Sequence, residues 1–317
     1  MQKYEWFFVN TWEMFEKLKT YSSKIKANYF KFDVETDSAN EKTALLYGVG
    51  FSFLDSKVFY LCWRDKPAEG EAQGNIIWTS EQQKEIIQWF YENSSSRKII
   101  THNGVFDCLV IENNWEIDIS PYLYHDTILS AHTLAEDGPF ALKELGTMYV
   151  DESAKDEQTE LKESVLANGG TWNKLNKEMF KANPEILGKY CCQDVYLTSM
   201  LFHKFEKELQ EQGLDKLFYE EESMPLYQVT IDMKRKGVHI NKPHYEKLAA
   251  DIKREQLQLE FDINNEIKEE IKPFLIEVLN KKVPIKSGGA FPKTLAEILN
   301  IPLPVKTTKK NGIEVVA

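Results

Sequence analysis

The sequence predicts an α/β protein with a sheet laid down early in the chain, helices added around it, and a helical C-terminal part. Three observations predict it. Short aromatic and β-branched runs crowd the first hundred residues, at 4–9, 29–35, 44–53, 57–62 and 98–101. Longer stretches with helical spacing of apolar residues dominate beyond residue 104. Past Glu220 the pattern changes to two long helical stretches, separated at Lys236-Gly237-Val238.

Taken in order, 4–9 reads as a strand and 11–20 as a helix capped by Asn10 or Thr11. Strands follow at 29–35, 44–53 and 57–62, with Asp55-Ser56 marking the turn between the last two. The loop 64–75, rich in Gly, Glu and Pro, reads as a surface insertion. Ser80 opens a helix to about Asn93, with Glu81 in its first turn and Ile86, Ile87, Trp89 and Phe90 as core candidates. A short strand at 98–101 precedes helices over 104–114, 126–136, 140–149 and 184–212. The polar segment 151–183, with Gly169-Gly170, reads as a helical or partly mobile insertion. Two domains are expected, 1–215 and 216–317, the second with helices over 216–236 and 242–271 and a short one around 293–299. The chain ends on Val315-Val316-Ala317 without a clear structural stop, as in a module cut from something larger.

Composition places the chain among soluble globular proteins, at 42% hydrophobic and 28% charged residues. No apolar run approaches the ~20 residues a spanning helix needs, and the N-terminus lacks a signal-peptide layout. Cys62, Cys108, Cys191 and Cys192 form neither a CxxC pair nor a zinc-ligand spacing, which reads as a reduced, cytoplasmic protein. The net charge of −11 argues against a general grip on phosphate. Its distribution is uneven: residues 281–317 hold seven lysines against Glu297 and Glu314, leaving −16 on the rest. That basic tail reads either as a phosphate-gripping element or as a solvated, flexible end.

Three short acidic motifs carry the chemistry. In Asp33-Val34-Glu35, which follows the strand-like run from Asn28 to Phe32, the two acids project to one side. In Tyr190-Cys191-Cys192-Gln193-Asp194 the tyrosine and aspartate are one helical turn apart, on a face that also carries Leu187, Leu197 and Leu201. An inward carboxylate is costly unless something pairs with it, either a cation or a core arginine. The remaining motif, second along the chain, is Asn103-Gly104-Val105-Phe106-Asp107, at a helix start. Hard divalent ions such as Mg²⁺ or Mn²⁺ take oxygen ligands, so a site for them should offer carboxylates rather than histidine or cysteine, and four are at hand. A pair of such ions activates water and stabilises a leaving oxygen in phosphodiester cleavage. Tyr190 reads as a water-orienting hydroxyl or as core, Asn103 as a substrate contact or a helix cap, and Phe106 as part of the site floor or plain core.

Together and in this order, the motifs resemble the DEDDy group of 3′→5′ exonucleases, Tyr190 giving the "y" subtype. In detail the chain is similar to the proofreading domain of family A, polymerase I-like DNA polymerases of bacteriophages and bacteria. Phe32 to Thr36, His102 to Asp107 and Tyr190 to Thr198 resemble that family's three exonuclease motifs, with His125-Asp126-Thr127 and Leu142-Lys143-Glu144-Leu145 at its intermediate helical segments. Glu222 to Leu226, Met233 to Val238 and, more loosely, Ser287 to Leu303 resemble its linker and thumb; no palm or fingers motif is present. The resemblance implies a ribonuclease H-like, DnaQ-like fold with a mixed sheet flanked by helices, followed by an all-helical partial thumb. It implies that Asp33, Glu35 and Asp194 hold one metal ion, Asp33 bridging to a second supported by Asp107. Tyr190 would orient the water, Thr36 and Asn103 would contact the terminal nucleotide, and Phe106 would pack beneath it.

The implied activity is metal-dependent hydrolysis of DNA from single-stranded 3′ ends to nucleoside 5′-monophosphates, beside a polymerase domain or subunit supplied from elsewhere. An RNase D-like exoribonuclease would use the same site. A docking subunit for a separate polymerase polypeptide would not need the acids, all of which are present.

Overall fold

The computed structural model describes residues 4–154, 157–173, 177–266, 307–310 and 313–316. Six strands form one sheet: β1 (Glu5–Val9), β2 (Tyr29–Thr36), β3 (Leu46–Leu54), β4 (Lys57–Cys62), β5 (Lys98–Thr101) and β6 (Leu123–Asp126). Their spatial order is β1-β4-β3-β2-β5-β6. β2 pairs antiparallel with β3 and parallel with β5, so the sheet is mixed and β2 lies inside it. β6, which pairs parallel with β5, is the strand the sequence did not announce. Leu123-Tyr124-His125-Asp126 is too short to show alternation, and its polar end resembles a helix start. The helix expected over 126–136 begins immediately after it, at Thr127.

Alternation along β2 gives the sheet two unlike faces. On one, Phe30 and Phe32 join Phe51, Phe53 and Phe59 under helices α1 (Trp12–Ser22), α2 (Ser80–Ser95) and α3 (Gly104–Trp115). Phe30 meets Phe90 edge-on at 5.3 Å and stacks on Phe51 at 5.7 Å. Burial of each such ring stabilises the fold by about 2–3 kcal/mol. α2 starts where Thr79 and Gln82 form a reciprocal capping box, and α1 where the Thr11 hydroxyl accepts from the Met14 N–H.

The other face is covered by helix α7 (Pro184–Glu211), on which α4 (Thr127–Leu134), α5 (Leu142–Tyr149) and α6 (Glu157–Ala167) pack. α7 lies against the sheet through Cys191, Cys192 and Val195, which pack on Val58, Tyr60 and Cys62. The insertion 151–183 is anchored here, with Leu161, Val165 and Phe180 clustered on Tyr47 and Leu187.

The chain divides into two compact units, Met1–Gly237 and Val238–Ala317. The first runs past the boundary expected at residue 215, because helix α8 (Ser223–Lys236) packs on α3. Tyr227 and Ile231 cluster with Val105 and Leu109, and Arg235 pairs with Glu112 at 2.7 Å. Gly237 ends α8 with φ +68°, a conformation that suits glycine. The second unit contains helix α9 (Lys242–Glu266) and a hairpin of β7 (Thr307–Lys310) and β8 (Ile313–Val316). The expected continuation to residue 271, the short helix around 293–299 and the thumb-like stretch 287–303 lie outside the described residues. Among the described residues no helix is long and apolar enough to cross a membrane.

Candidate active site

Asp33 and Glu35 stand on the α7 face of β2, opposite Gly50 and Gly48 of β3. Neither position has room for a side chain. A Cβ on Gly50 would lie 2.6 Å from the Cys191 sulfur, and one on Gly48 would lie 2.2 Å from the buried Tyr60 ring. Gly50 thus lets α7 approach the acidic stretch of β2 and deliver the third motif, while Gly48 makes room for the Tyr60 ring of β4. Cys191 Sγ sits 3.5 Å from Asp33 Oδ2, and the ligand atoms of Asp33, Glu35 and Cys191 all lie within 4.8 Å of one another. β2 then slips register between Glu35 and Thr36, an irregularity of the kind that re-aims side chains at functional sites.

Asp107 arrives from the opposite side. β5 ends at Thr101, Asn103 adopts a left-handed conformation (φ 72°), and α3 begins at Gly104, so Asp107 falls in the first turn. It is buried, and its Oδ2 has no hydrogen-bond partner. Asp194 and Tyr190 come from the middle of α7, where Asp194 is buried.

The electrostatics show that the four acids share one space. Burial first, and then the charge of Asp194, push the Asp33 carboxyl up to about 8. Glu35 is raised well above the ordinary range by burial, then by Asp33 and Asp194. Asp107 is raised by burial, then by Asp33 and Asp126, against the opposing pull of the Val34 backbone N–H. The Tyr190 phenol is also raised, by burial and then by Asp194, Glu35 and Asp33, so it stays protonated. Water-deprived carboxylates that repel one another, with one oxygen unpartnered, fit a cation that takes hard oxygen ligands. The Cys191 thiol beside them is held protonated by burial and then by the charges of Asp33 and Glu35.

Of the eight residues expected at the site, the five chemical ones converge. Thr36 follows Glu35 at the end of β2, half-buried, its hydroxyl donating to the Ser38 carbonyl at 2.8 Å. Asn103 occupies the cap position of α3 but makes no side-chain cap bond and is exposed, which leaves its amide free for other contacts. Phe106 is half-buried and packs on the aromatic core.

Sequence reasoning missed Lys143. Its ammonium contacts Asp194 Oδ1, lies 2.8 Å from Gln193 Oε1 and sits 4.3 Å over the Tyr190 ring. It is 7% exposed, and its charge draws down both Asp33 and Glu35. The partner of the inward Asp194 is therefore this lysine rather than a core arginine. One signal was available: Lys143 lies in Leu142-Lys143-Glu144-Leu145, the segment that resembles an intermediate helix of the family.

The profile of the DNA polymerase A exonuclease family, described as 3′-5′ exonuclease, matches residues 10–210. DNA polymerase I of Borreliella burgdorferi is 29% identical over 274 residues, covering 82% of this chain and 27% of the polymerase. DNA polymerase I of a Synechocystis species is 23% identical over 231 residues, covering 72% of this chain and 21% of the polymerase. The chain thus spans about a quarter of the length of these relatives. Among solved structures, Brucella melitensis NrnC with bound Mg²⁺ aligns with a TM-score of 0.47 at 15% identity, covering 74% of this chain and 95% of that one. The family match spans well over half of the chain, including all three acidic motifs, and the chain belongs to the 3′-5′ exonuclease family of A-type DNA polymerases.

Proposed function

We propose that this protein is the editing half of a family A DNA polymerase of bacterial or bacteriophage type, removing nucleotides from single-stranded DNA 3′ ends as nucleoside 5′-monophosphates. The observation that carries the reading is the convergence of Asp33, Glu35, Asp107 and Asp194, with Tyr190 beside them, from β2, α3 and α7. Asp33, Glu35 and Asp194 would hold one divalent ion, Mg²⁺ or Mn²⁺, and Asp33 and Asp107 a second. When bound, the pair supplies water activation and neutralisation of the leaving oxygen. Tyr190, protonated, orients the attacking water by hydrogen bonding rather than by taking its proton. Lys143 fixes Asp194 and limits repulsion within the cluster. Thr36 and Asn103 contact the terminal nucleotide, with Phe106 under it. The part after Gly237 serves as partial thumb, and the polymerase partner is a missing domain or a separate subunit in the same cytoplasm.

Degradation of a 5′-labelled single-stranded DNA, run beside an RNA of the same sequence and an Asp33→Ala protein, tests this. The expected result is a ladder shortening from the 3′ end in Mg²⁺ or Mn²⁺, abolished by EDTA or the substitution and weaker on RNA. Equal or faster cutting of RNA would replace the reading with an exoribonuclease. No cutting of either by folded protein would leave a docking role.

A further inference from the structure

The first turn of α3 is capped by other elements. A helix start leaves backbone N–H groups without partners, and the residue at the cap position normally accepts from one of them. Asn103 does not. Instead the Gly104 N–H donates to Asp126 Oδ2 at 2.8 Å, and the Val105 N–H donates to the Tyr227 hydroxyl at 3.0 Å. That hydroxyl donates in turn to the same Asp126 oxygen at 2.5 Å, and the Thr101 hydroxyl joins it at 3.3 Å. The network is buried, Asp126 completely. Tyr227 belongs to α8, beyond the stretch the family profile matches. α8 also holds α3 farther along: Arg235 reaches Glu112 at 2.8 Å, and Ile231 packs between the two.

We propose that Tyr227 is a positioning residue of the exonuclease site, locking the first turn of α3 so that Asn103, Phe106 and Asp107 are presented in a fixed geometry. The inference rests on the proposed role of Asp107. It makes the working unit extend through α8 to Gly237. The phenol suits this task because its one oxygen accepts from the helix and donates to Asp126 at once; a phenylalanine would fill the same space and leave the Val105 N–H unpartnered. Holding reacting groups to within a fraction of an ångström is what such a lock contributes, since a small displacement of a catalytic carboxylate lowers the rate by one to two orders of magnitude.

The test uses the full-length chain with Tyr227→Phe, and Ile231→Val as a packing control on the same helix. Hydrogen–deuterium exchange of the 104–110 segment without metal reads the lock directly. Exchange there should speed by about tenfold in Tyr227→Phe while α2 is unchanged. On DNA, kcat should fall about tenfold with KM nearly constant, and the Mn²⁺ concentration for half-maximal rate should rise. Ile231→Val should lower the melting temperature comparably and keep wild-type kcat and Mn²⁺ dependence. Unchanged exchange at 104–110 in Tyr227→Phe would overturn the proposal whatever the activity. So would a wild-type kcat and Mn²⁺ midpoint in that variant, or an equal kcat loss in Ile231→Val. An inactive wild type would instead strike the exonuclease reading, with the exchange result still deciding the lock.

Discussion

Strand β2 carries a stabilising face and a destabilised one on alternate residues. Phe30 and Phe32 lie fully buried among aromatic rings, while Asp33 and Glu35, one residue out of phase, face α7 among other acids. The aromatic face gains from every atom removed from water. The acidic face loses from the same burial, which raises the pKa of both its carboxyls when nothing neutralises them. The strength of the first is what allows the second to exist, so substitutions on the two faces should move stability in opposite directions.

The largest effect is expected from Phe32→Ala, which opens a cavity among Phe30, Phe90 and their neighbours. It should cost about 3–5 kcal/mol, read as a fall in the urea midpoint with little change in slope. Next comes Lys143→Met. Removing the cation leaves Asp194 buried without its partner and should cost about 3 kcal/mol in EDTA, with saturating Mn²⁺ restoring most of the loss in a thermal melt.

Asp33→Asn should act with the opposite sign. The carboxyl ionises near 3.8 when the chain is unfolded and near 8 when it is folded, so the folded state binds the extra proton between those values and loses stability as pH rises through them. An asparagine has no such loss. At pH 8 in EDTA the variant should be more stable by on the order of 2 kcal/mol, or about 4–8 °C, while its nuclease activity disappears.

The smallest effect concerns a neutral base on the same face. His125 bonds Tyr219 at 2.8 Å and Ser130 at 2.9 Å, and burial pushes its pKa down to about 3. Below its unfolded value near 6.5 the unfolded chain takes up a proton that the folded one refuses. Stability is therefore complete above pH 6.5 and lost as pH falls toward 3. Between pH 7 and 5.5 this amounts to about 1.4 kcal/mol, absent in His125→Gln. Melts of both proteins across that range check it.

Much of this arrangement was legible in the sequence. Period-two alternation from Tyr29 to Glu35 announces both faces of β2, and the spacing of Tyr190 and Asp194 announces the inward helix face. What stayed hidden depends on contacts between distant segments. β6 is too short to carry a pattern of its own and forms by pairing with β5. Lys143 looks like an ordinary surface lysine until α5 docks on α7 and its ammonium reaches Asp194. Tyr227 reads as part of the following segment, and only the packing of α8 on α3 brings its hydroxyl to the start of the second motif.

The claim that the acidic face of β2 is built for cations is tested most directly by binding Mn²⁺ at pH 8, counted by electron paramagnetic resonance of the free ion. The wild-type chain is predicted to take up two ions and Glu35→Gln one or none. Equal uptake by both proteins, or none by the wild type, would contradict the account.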